Sequence, residues 1–71
     1  TWQVKEIDRY PNNQVWIFTR TGYEVFNTLN YRNDWSGTKD GTPLPEGSYY
    51  YRIDLDGNGT IDFEGWLYLT R

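Results

Sequence analysis

The chain has 71 residues, a formal net charge of -3, no cysteine and no histidine. This length is that of one small domain, and the missing residue types exclude disulfides and zinc sites built from cysteine and histidine. Binding to nucleic-acid phosphates needs a basic surface, so we expect no nucleic-acid partner. The sequence has no apolar run of about 18 residues, so we also expect no membrane-spanning segment.

The first part of the sequence predicts two strands, a turn and a hairpin. Residues 2–7 alternate apolar and polar side chains, which is the period of a strand. Residues 10–13 read Tyr-Pro-Asn-Asn, a combination typical of turns. Residues 14–20 carry apolar side chains on both faces, which indicates a central strand. A tight connection at residues 21–22 then leads back into an antiparallel strand over residues 23–26.

The middle of the sequence predicts a long link followed by a long strand. Nineteen residues without structure are unusual in a compact domain, so within residues 28–46 we expect a short strand around Trp35. Residues 48–55 alternate in the manner of a strand, with Tyr49, Tyr51 and Ile53 facing the core.

The last part of the sequence predicts a hairpin. Residues 56–59 read Asp-Gly-Asn-Gly, the strongest turn pattern in the chain, and the returning arm covers residues 60–63 and 66–70 with a bulge at Gly65. Aromatic and β-branched residues abound, and alanine and methionine are absent. We therefore predict an all-β fold, a small immunoglobulin-like antiparallel β-sandwich of about six to seven strands, with a first strand truncated at Thr1.

One segment resembles a calcium-binding loop. Oxygen-bearing side chains occupy positions 1, 3, 5 and 9 of the loop pattern, a glycine occupies position 6, and an isoleucine occupies position 8. The candidate ligands are Asp54, Asp56, Asn58, Thr60 and Asp62. Position 12, usually a bidentate glutamate, is Gly65, and no helix pattern flanks the loop. The alternative is a polar hairpin turn with solvated aspartates, so calcium is a candidate ligand and no cofactor is required.

Exposed aromatic residues offer a second candidate site. Trp16, Trp35, Trp66 and Tyr50 can form a sugar-stacking platform, although packing in the core and against the sheet is the preferred explanation, because so small a domain needs these residues for packing. The sequence does not favour an enzyme, because the usual general base and thiol nucleophile are missing. The acidic residues of the long link, Asp34, Asp40 and Glu46, are interpreted as solvated charges.

Several motifs, in order, resemble a known family of secretion signals. They are Tyr-Pro-Asn-Asn at 10–13, Val-Trp-Ile-Phe at 15–18, Arg-Thr-Gly at 20–22, Asn-Asp-Trp-Ser-Gly at 33–37, Pro-Leu-Pro-Glu-Gly-Ser-Tyr-Tyr-Tyr at 43–51, and Gly-Trp-Leu-Tyr-Leu at 65–69. Together they resemble the gliding motility-associated C-terminal domain, the type B sorting domain of the type IX secretion system of Bacteroidetes-like bacteria. The family's upstream motif, rich in proline, asparagine, aspartate and glycine, is missing here.

The resemblance implies that residues 1–71 are one C-terminal sorting domain with an immunoglobulin-like fold. It implies export across the outer membrane through the periplasm, and then surface attachment or release. It also implies the type IX translocon and associated outer-membrane proteins as partners, with no reaction and no small-molecule substrate. As partner-binding residues we predict Asn33, Asp34, Trp35, Gly37, Leu44, Pro45, Gly47 and Tyr49. The alternative function is a carbohydrate-binding or adhesive β-sandwich module, stabilised by calcium if the loop binds it.

Overall fold

The fold consists of antiparallel strands in two sheets. The computed structural model describes residues 2–70. In chain order they form a 3-10 helix (Ile7–Arg9) and the strands β1 (Gln14–Phe18), β2 (Glu24–Leu29), β3 (Thr38–Lys39), β4 (Thr42–Pro43), β5 (Gly47–Asp54) and β6 (Phe63–Leu69). One sheet has the order β2-β1-β5-β6, and the other contains β3 and β4. The prediction of a small all-β sandwich is confirmed.

Strand β1 occupies the centre of the larger sheet, as its two apolar faces predict. Val15 and Ile17 are fully buried on the inner face, while Trp16 and Phe18 are half-buried on the outer face. A break in register between Ile17 and Phe18 interrupts the pairing of β1 with β2. A β-bulge of this kind bends a strand and increases its twist.

The core lies between the inner face of the larger sheet and a second layer with little regular structure. Its buried apolar residues are Ile7, Val15, Ile17, Val25, Tyr31, Trp35, Tyr49 and Ile53, with Trp2, Val4 and Leu44 packed against them. The sheet contributes five of these residues, Val15, Ile17, Val25, Tyr49 and Ile53, and the other three, Ile7, Tyr31 and Trp35, lie outside it. The second layer is therefore built mainly from the N-terminal segment and from the link that follows β2.

The predicted strand over residues 2–7 is wrong, although its alternation of burial is right. Trp2 donates its backbone N–H to the carbonyl oxygen of Trp35 at 2.9 Å, but Val4 donates its N–H to the side-chain oxygen of Asn33 at 2.7 Å. Since a side chain replaces the next backbone carbonyl, no strand ladder continues. Glu6 then turns the chain, with a φ of 62°.

The predicted short strand around Trp35 is also wrong, because the link folds into a hairpin just after it. Strands β3 and β4 pair through Thr38 with Pro43 and Lys39 with Thr42. The turn between them has positive φ at Asp40 and Gly41, 53° and 82°, which is the backbone of the tightest hairpin turns.

Gly65 is not the predicted bulge, because β6 stays in register with β5 on both sides of it. Gly65 lies opposite Tyr51, and a Cβ atom at this glycine would stand only 3.0 Å from the Tyr51 hydroxyl oxygen. The missing side chain leaves room for the Tyr51 ring, which contacts the Trp2 ring at a centroid distance of 5.2 Å. The glycine therefore serves packing across the sheet.

A buried tyrosine joins the two segments of the second layer. The Tyr31 hydroxyl donates to the carbonyl oxygen of Trp2 at 2.6 Å and accepts the backbone N–H of Trp35 at 3.1 Å. Burial raises the pKa of Tyr31, against a smaller lowering by the Trp35 N–H. The ring also contacts Phe26 edge-on, at a centroid distance of 6.0 Å, so the neutral phenol is held by packing and by two hydrogen bonds.

Removing this hydroxyl tests the role of Tyr31. We expect Tyr31→Phe to lower the free energy of unfolding by about 2–3 kcal/mol, because it strips a hydrogen-bond partner from the backbone of both Trp2 and Trp35. The control is Tyr23→Phe, since Tyr23 is 65% exposed and surface changes usually cost no more than about 0.5 kcal/mol. Urea denaturation followed by tryptophan fluorescence measures both. Equal stability of the two variants would contradict the assignment.

Candidate functional site

Asn33, the first predicted partner-binding residue, has a structural role as well. Its φ of 59° lies in the left-handed region, which asparagine tolerates better than most residues. Its side-chain oxygen accepts the N–H of Val4, and its backbone carbonyl accepts the Gln3 side-chain amide at 3.2 Å. Asn33 thus fixes the N-terminal segment against the link.

Packing brings the two predicted recognition segments, residues 33–37 and 43–49, into contact. The rings of Trp35 and Tyr49 meet edge-to-face at a centroid distance of 6.4 Å. Leu44 donates its backbone N–H to the carbonyl oxygen of Gly37 at 2.8 Å. The two segments therefore present one continuous surface, which we call the link surface.

Two more hydrogen bonds hold the link surface in place. The Tyr49 hydroxyl donates to the carbonyl oxygen of Pro45 at 2.7 Å, and the Trp35 indole donates to the carbonyl oxygen of Thr38 at 3.0 Å. Both rings are buried, with Trp35 only 4% exposed. Trp35 therefore belongs to the core. For this residue, core packing is correct and a place in the sugar-stacking platform is not.

The eight predicted partner-binding residues differ in exposure. Trp35, Gly37 and Tyr49 are buried, Asn33, Leu44 and Gly47 are half-buried, and Asp34 and Pro45 are exposed. The buried members set the shape of the link surface, and the exposed members are those that a partner can touch. Contact between these residues and a partner stays a prediction.

The calcium-like loop closes around one buried carboxylate. Asp54 is only 2% exposed, so the sequence-based expectation of a solvated side chain is wrong for this residue. Its Oδ1 accepts the backbone N–H groups of Asp56 at 3.2 Å, Gly57 at 2.9 Å and Asn58 at 3.4 Å. Its Oδ2 accepts the N–H of Gly59 at 2.8 Å. Four backbone amides of the turn thus donate to one carboxyl group. These hydrogen bonds offset the free-energy cost of burying the Asp54 side chain.

A second turn packs against this loop. A Cβ atom at Gly57 would stand 2.7 Å from the carbonyl oxygen of Asn12, so only glycine allows the two turns to approach. Asn13, which follows Asn12 in this second turn, is fully buried. Its side-chain amide donates to the Tyr10 carbonyl oxygen at 2.7 Å, and its side-chain oxygen accepts the Tyr31 N–H at 2.9 Å. Sequence reasoning placed Asn13 in a turn but missed its role as a buried link.

Two more of the predicted calcium ligands also accept backbone amides. Asn58 accepts the N–H of Thr60 at 2.9 Å, and Asp62 accepts that of Leu55 at 2.8 Å, while Asp56 is exposed. Within residues 2–70, no three acidic residues converge on a possible metal position. The hydrogen bonds of Asp54, Asn58 and Asp62 to backbone amides fit the hairpin-turn alternative. Calcium binding stays a prediction that requires the loop to rearrange.

The candidate sugar platform is divided between the two faces of the larger sheet. Trp35 packs on the inner face, whereas Trp16, Tyr50 and Trp66 lie on the outer face, to which alternate residues of β1, β5 and β6 point. Phe18 joins them, because it pairs with Tyr50 across the strands. Sequence reasoning identified three of these four aromatic residues and placed Phe18 and Trp16 on one face of a strand.

A model of the type IX secretion signal domain family matches residues 1–69. The chain belongs to this family. The resemblance seen in the motifs of residues 10–69 is thereby confirmed, and so is the main function expected from it. Searches of curated proteins and of solved structures found no match.

As a type IX secretion signal domain, the chain directs export out of the cell, to the cell surface or the medium. No helix within residues 2–70 is long and apolar enough to cross a membrane.

Asp54→Ala tests how the loop is held. We expect it to lower the free energy of unfolding by about 2–3 kcal/mol, since four backbone amides of the loop lose a charged acceptor. Asp56→Ala removes an exposed carboxylate from the same loop and should cost no more than about 0.5 kcal/mol. Urea denaturation in EDTA measures both, and equal losses would contradict a loop held by Asp54.

The same variants decide the calcium question. With a dissociation constant of about 1 mM, typical of extracellular sites, about 10 mM calcium would stabilise the domain by about 1.4 kcal/mol. The Tm would then rise by several degrees, and Asp56→Ala would abolish that rise. From the loop geometry we expect the Tm to be the same in calcium and in EDTA.

Proposed function

We propose that the type IX translocon and its associated outer-membrane proteins recognise this domain as a folded structure. The protein that carries this domain would reach these partners from the periplasm. After export it would be attached to the cell surface or released into the medium. Family membership supports a role in export. Support for recognition of a folded form comes from the link surface, whose two segments meet only after the contacts of Trp35 with Tyr49 and of Gly37 with Leu44 have formed.

We further propose that the link surface is the part that these partners contact. Its exposed members, Asp34 and Pro45, stand over a rigid base of buried aromatic rings. A rigid base lowers the entropy cost of binding. Indirect support comes from the Tyr49 hydroxyl, which donates a hydrogen bond to the Pro45 carbonyl oxygen and so fixes the position of that proline.

The domain itself is proposed to catalyse no reaction and to take no small-molecule substrate for its sorting role. A secretion signal needs only to be bound by the export machinery. Its family role therefore supports a binding surface and gives no reason to expect a catalytic one.

A reporter fusion tests the proposed recognition. The chain, with its native upstream segment, is fused to a periplasmic fluorescent reporter in a host with a type IX system. We expect the reporter at the surface or in the medium only when the translocon is present. A reporter that stays folded in the periplasm of translocon-positive cells would contradict the proposal.

Charge reversal then locates the contact surface. We expect Asp34→Lys to reduce export several-fold, because it changes the charge of the exposed link surface. The matched control is Asp8→Lys, an identical charge change at an exposed residue of the 3-10 helix. Melting temperatures of the purified variants establish that both fold. Equal export of the two folded variants would contradict the link surface as the contact site while leaving the secretion role intact.

A further inference from the structure

The outer face of the larger sheet carries a row of three aromatic rings. Phe18 of β1 pairs with Tyr50 of β5, and Tyr50 pairs with Trp66 of β6. Neighbouring strands lie about 4.8 Å apart, so the row spans about 10 Å. The rings of Tyr50 and Trp66 meet edge-to-face at a centroid distance of 5.1 Å, and Trp66 remains 60% exposed. No element described in residues 2–70 covers this row.

Two arginines flank the aromatic row. Arg52 follows Tyr50 by two residues on the same face of β5, and Arg20 lies where β1 runs into its hairpin. Together with Phe18, Tyr50 and Trp66, they line a groove of about 400 Å³. Within residues 2–70, neither guanidinium has a carboxylate at ion-pair distance. Among the described residues, two cations without an ion-pair partner thus stand beside two half-buried rings and one exposed ring, in a protein of net charge -3.

Two acidic residues of the sheet lie beside this groove. Glu24 lies opposite Phe18 in the strand register, and its carboxylate accepts the Asn27 side-chain amide at 2.9 Å. Glu64 lies directly opposite Arg52 in the strand register, yet its carboxylate accepts the Tyr50 hydroxyl. That hydrogen bond raises the pKa of Tyr50 above its usual value. Within residues 2–70, Glu64 thus bonds to Tyr50 and forms no ion pair with Arg52.

We propose that this groove binds a carboxylated sugar, such as a uronic-acid unit of an acidic polysaccharide. The apolar face of a sugar ring packs against Trp66 or Phe18, while the sugar carboxylate pairs with Arg52 or Arg20 through two parallel hydrogen bonds. The groove volume lies in the range of about 300–1,000 Å³ that ligand sites occupy.

Size and charge favour this ligand over a macromolecular partner. A stable protein–protein interface buries about 800 Å² on each partner, whereas the groove is lined by a few side chains. A nucleic acid is disfavoured by the net negative charge. Since the domain is exported to the surface or the medium, it meets extracellular polysaccharides there.

Sugar binding and sorting use opposite faces of one sheet, so the inference goes beyond the proposed function. Tyr49 points to the inner face and supports the link surface, whereas its neighbour Tyr50 points outward into the groove. Successive residues of a strand face opposite sides, so neither role competes for the same side chains.

Affinity electrophoresis of the 71-residue chain tests the proposal with three polymers in the gel. Polygalacturonate offers carboxylated sugars, dextran offers neutral sugars, and polyglutamate offers carboxylates without sugar rings. We expect polygalacturonate alone to retard the protein. Equal retardation by polyglutamate would show that charge alone is recognised, and equal retardation by dextran would show that the arginines have no role. Either result, or no retardation at all, would overturn the proposal.

Matched variants then assign the binding to the groove. We expect Trp66→Ala and Arg52→Gln each to weaken binding to polygalacturonate about tenfold, and Trp66→Phe to keep most of it. The control is Tyr68→Ala, because Tyr68 is 66% exposed on the same strand and face but lies outside the groove. Circular dichroism establishes that each variant folds. Equal weakening by Tyr68→Ala and Trp66→Ala would overturn the assignment to this groove.

Discussion

The buried hydroxyl of Tyr31 is the interaction on which the second layer of this domain depends. One oxygen atom bonds to the backbone of both Trp2 and Trp35, and so replaces the ladder that a regular strand would have supplied. Buried backbone groups need partners, and here the side chains of Tyr31 and Asn33 provide several of them. The core is consequently closed by irregular chain, with little secondary structure on that side of the sheet.

The same solution recurs at the end of the sheet where two turns meet. The Asn13 side chain joins its own turn to the backbone of Tyr31. The Asp54 carboxylate accepts four backbone N–H groups of the loop between β5 and β6. Gly57 lets the two turns touch. In a chain with no disulfide and no zinc site of cysteine and histidine, buried polar side chains thus take over the role of holding loops to the sheet.

These fixed loops explain how a small domain can present two separate surfaces. The larger sheet gives its inner face to the core, on which the link surface rests, and its outer face to an aromatic row between two arginines. β5 contributes to both, because Tyr49 and Tyr50 point in opposite directions. The proposed recognition by an export machinery and the proposed binding of a sugar can therefore coexist on one small framework, since the two proposals place them on opposite faces of the sheet.

Much of the sheet follows from the sequence alone. Two-residue periodicity and turn chemistry predicted the strands β1, β2, β5 and β6 and the central place of β1, because burial on a sheet face imposes that period on neighbouring residues. The motifs also predicted the family and its export role. The exposed residues Asp34 and Pro45 were named in advance, but their contact with a partner is a matter for experiment.

Only the tertiary structure decided which polar residues are buried and what they hold. Asn13 and Asp54 look like ordinary turn residues in sequence, and residues 2–7 look like a strand. Their partners lie far away along the chain or depend on the geometry of a closed loop, as with Val4 and Asn33. Local periodicity reports which face a side chain takes, but it carries no information about which distant group completes its hydrogen bonds.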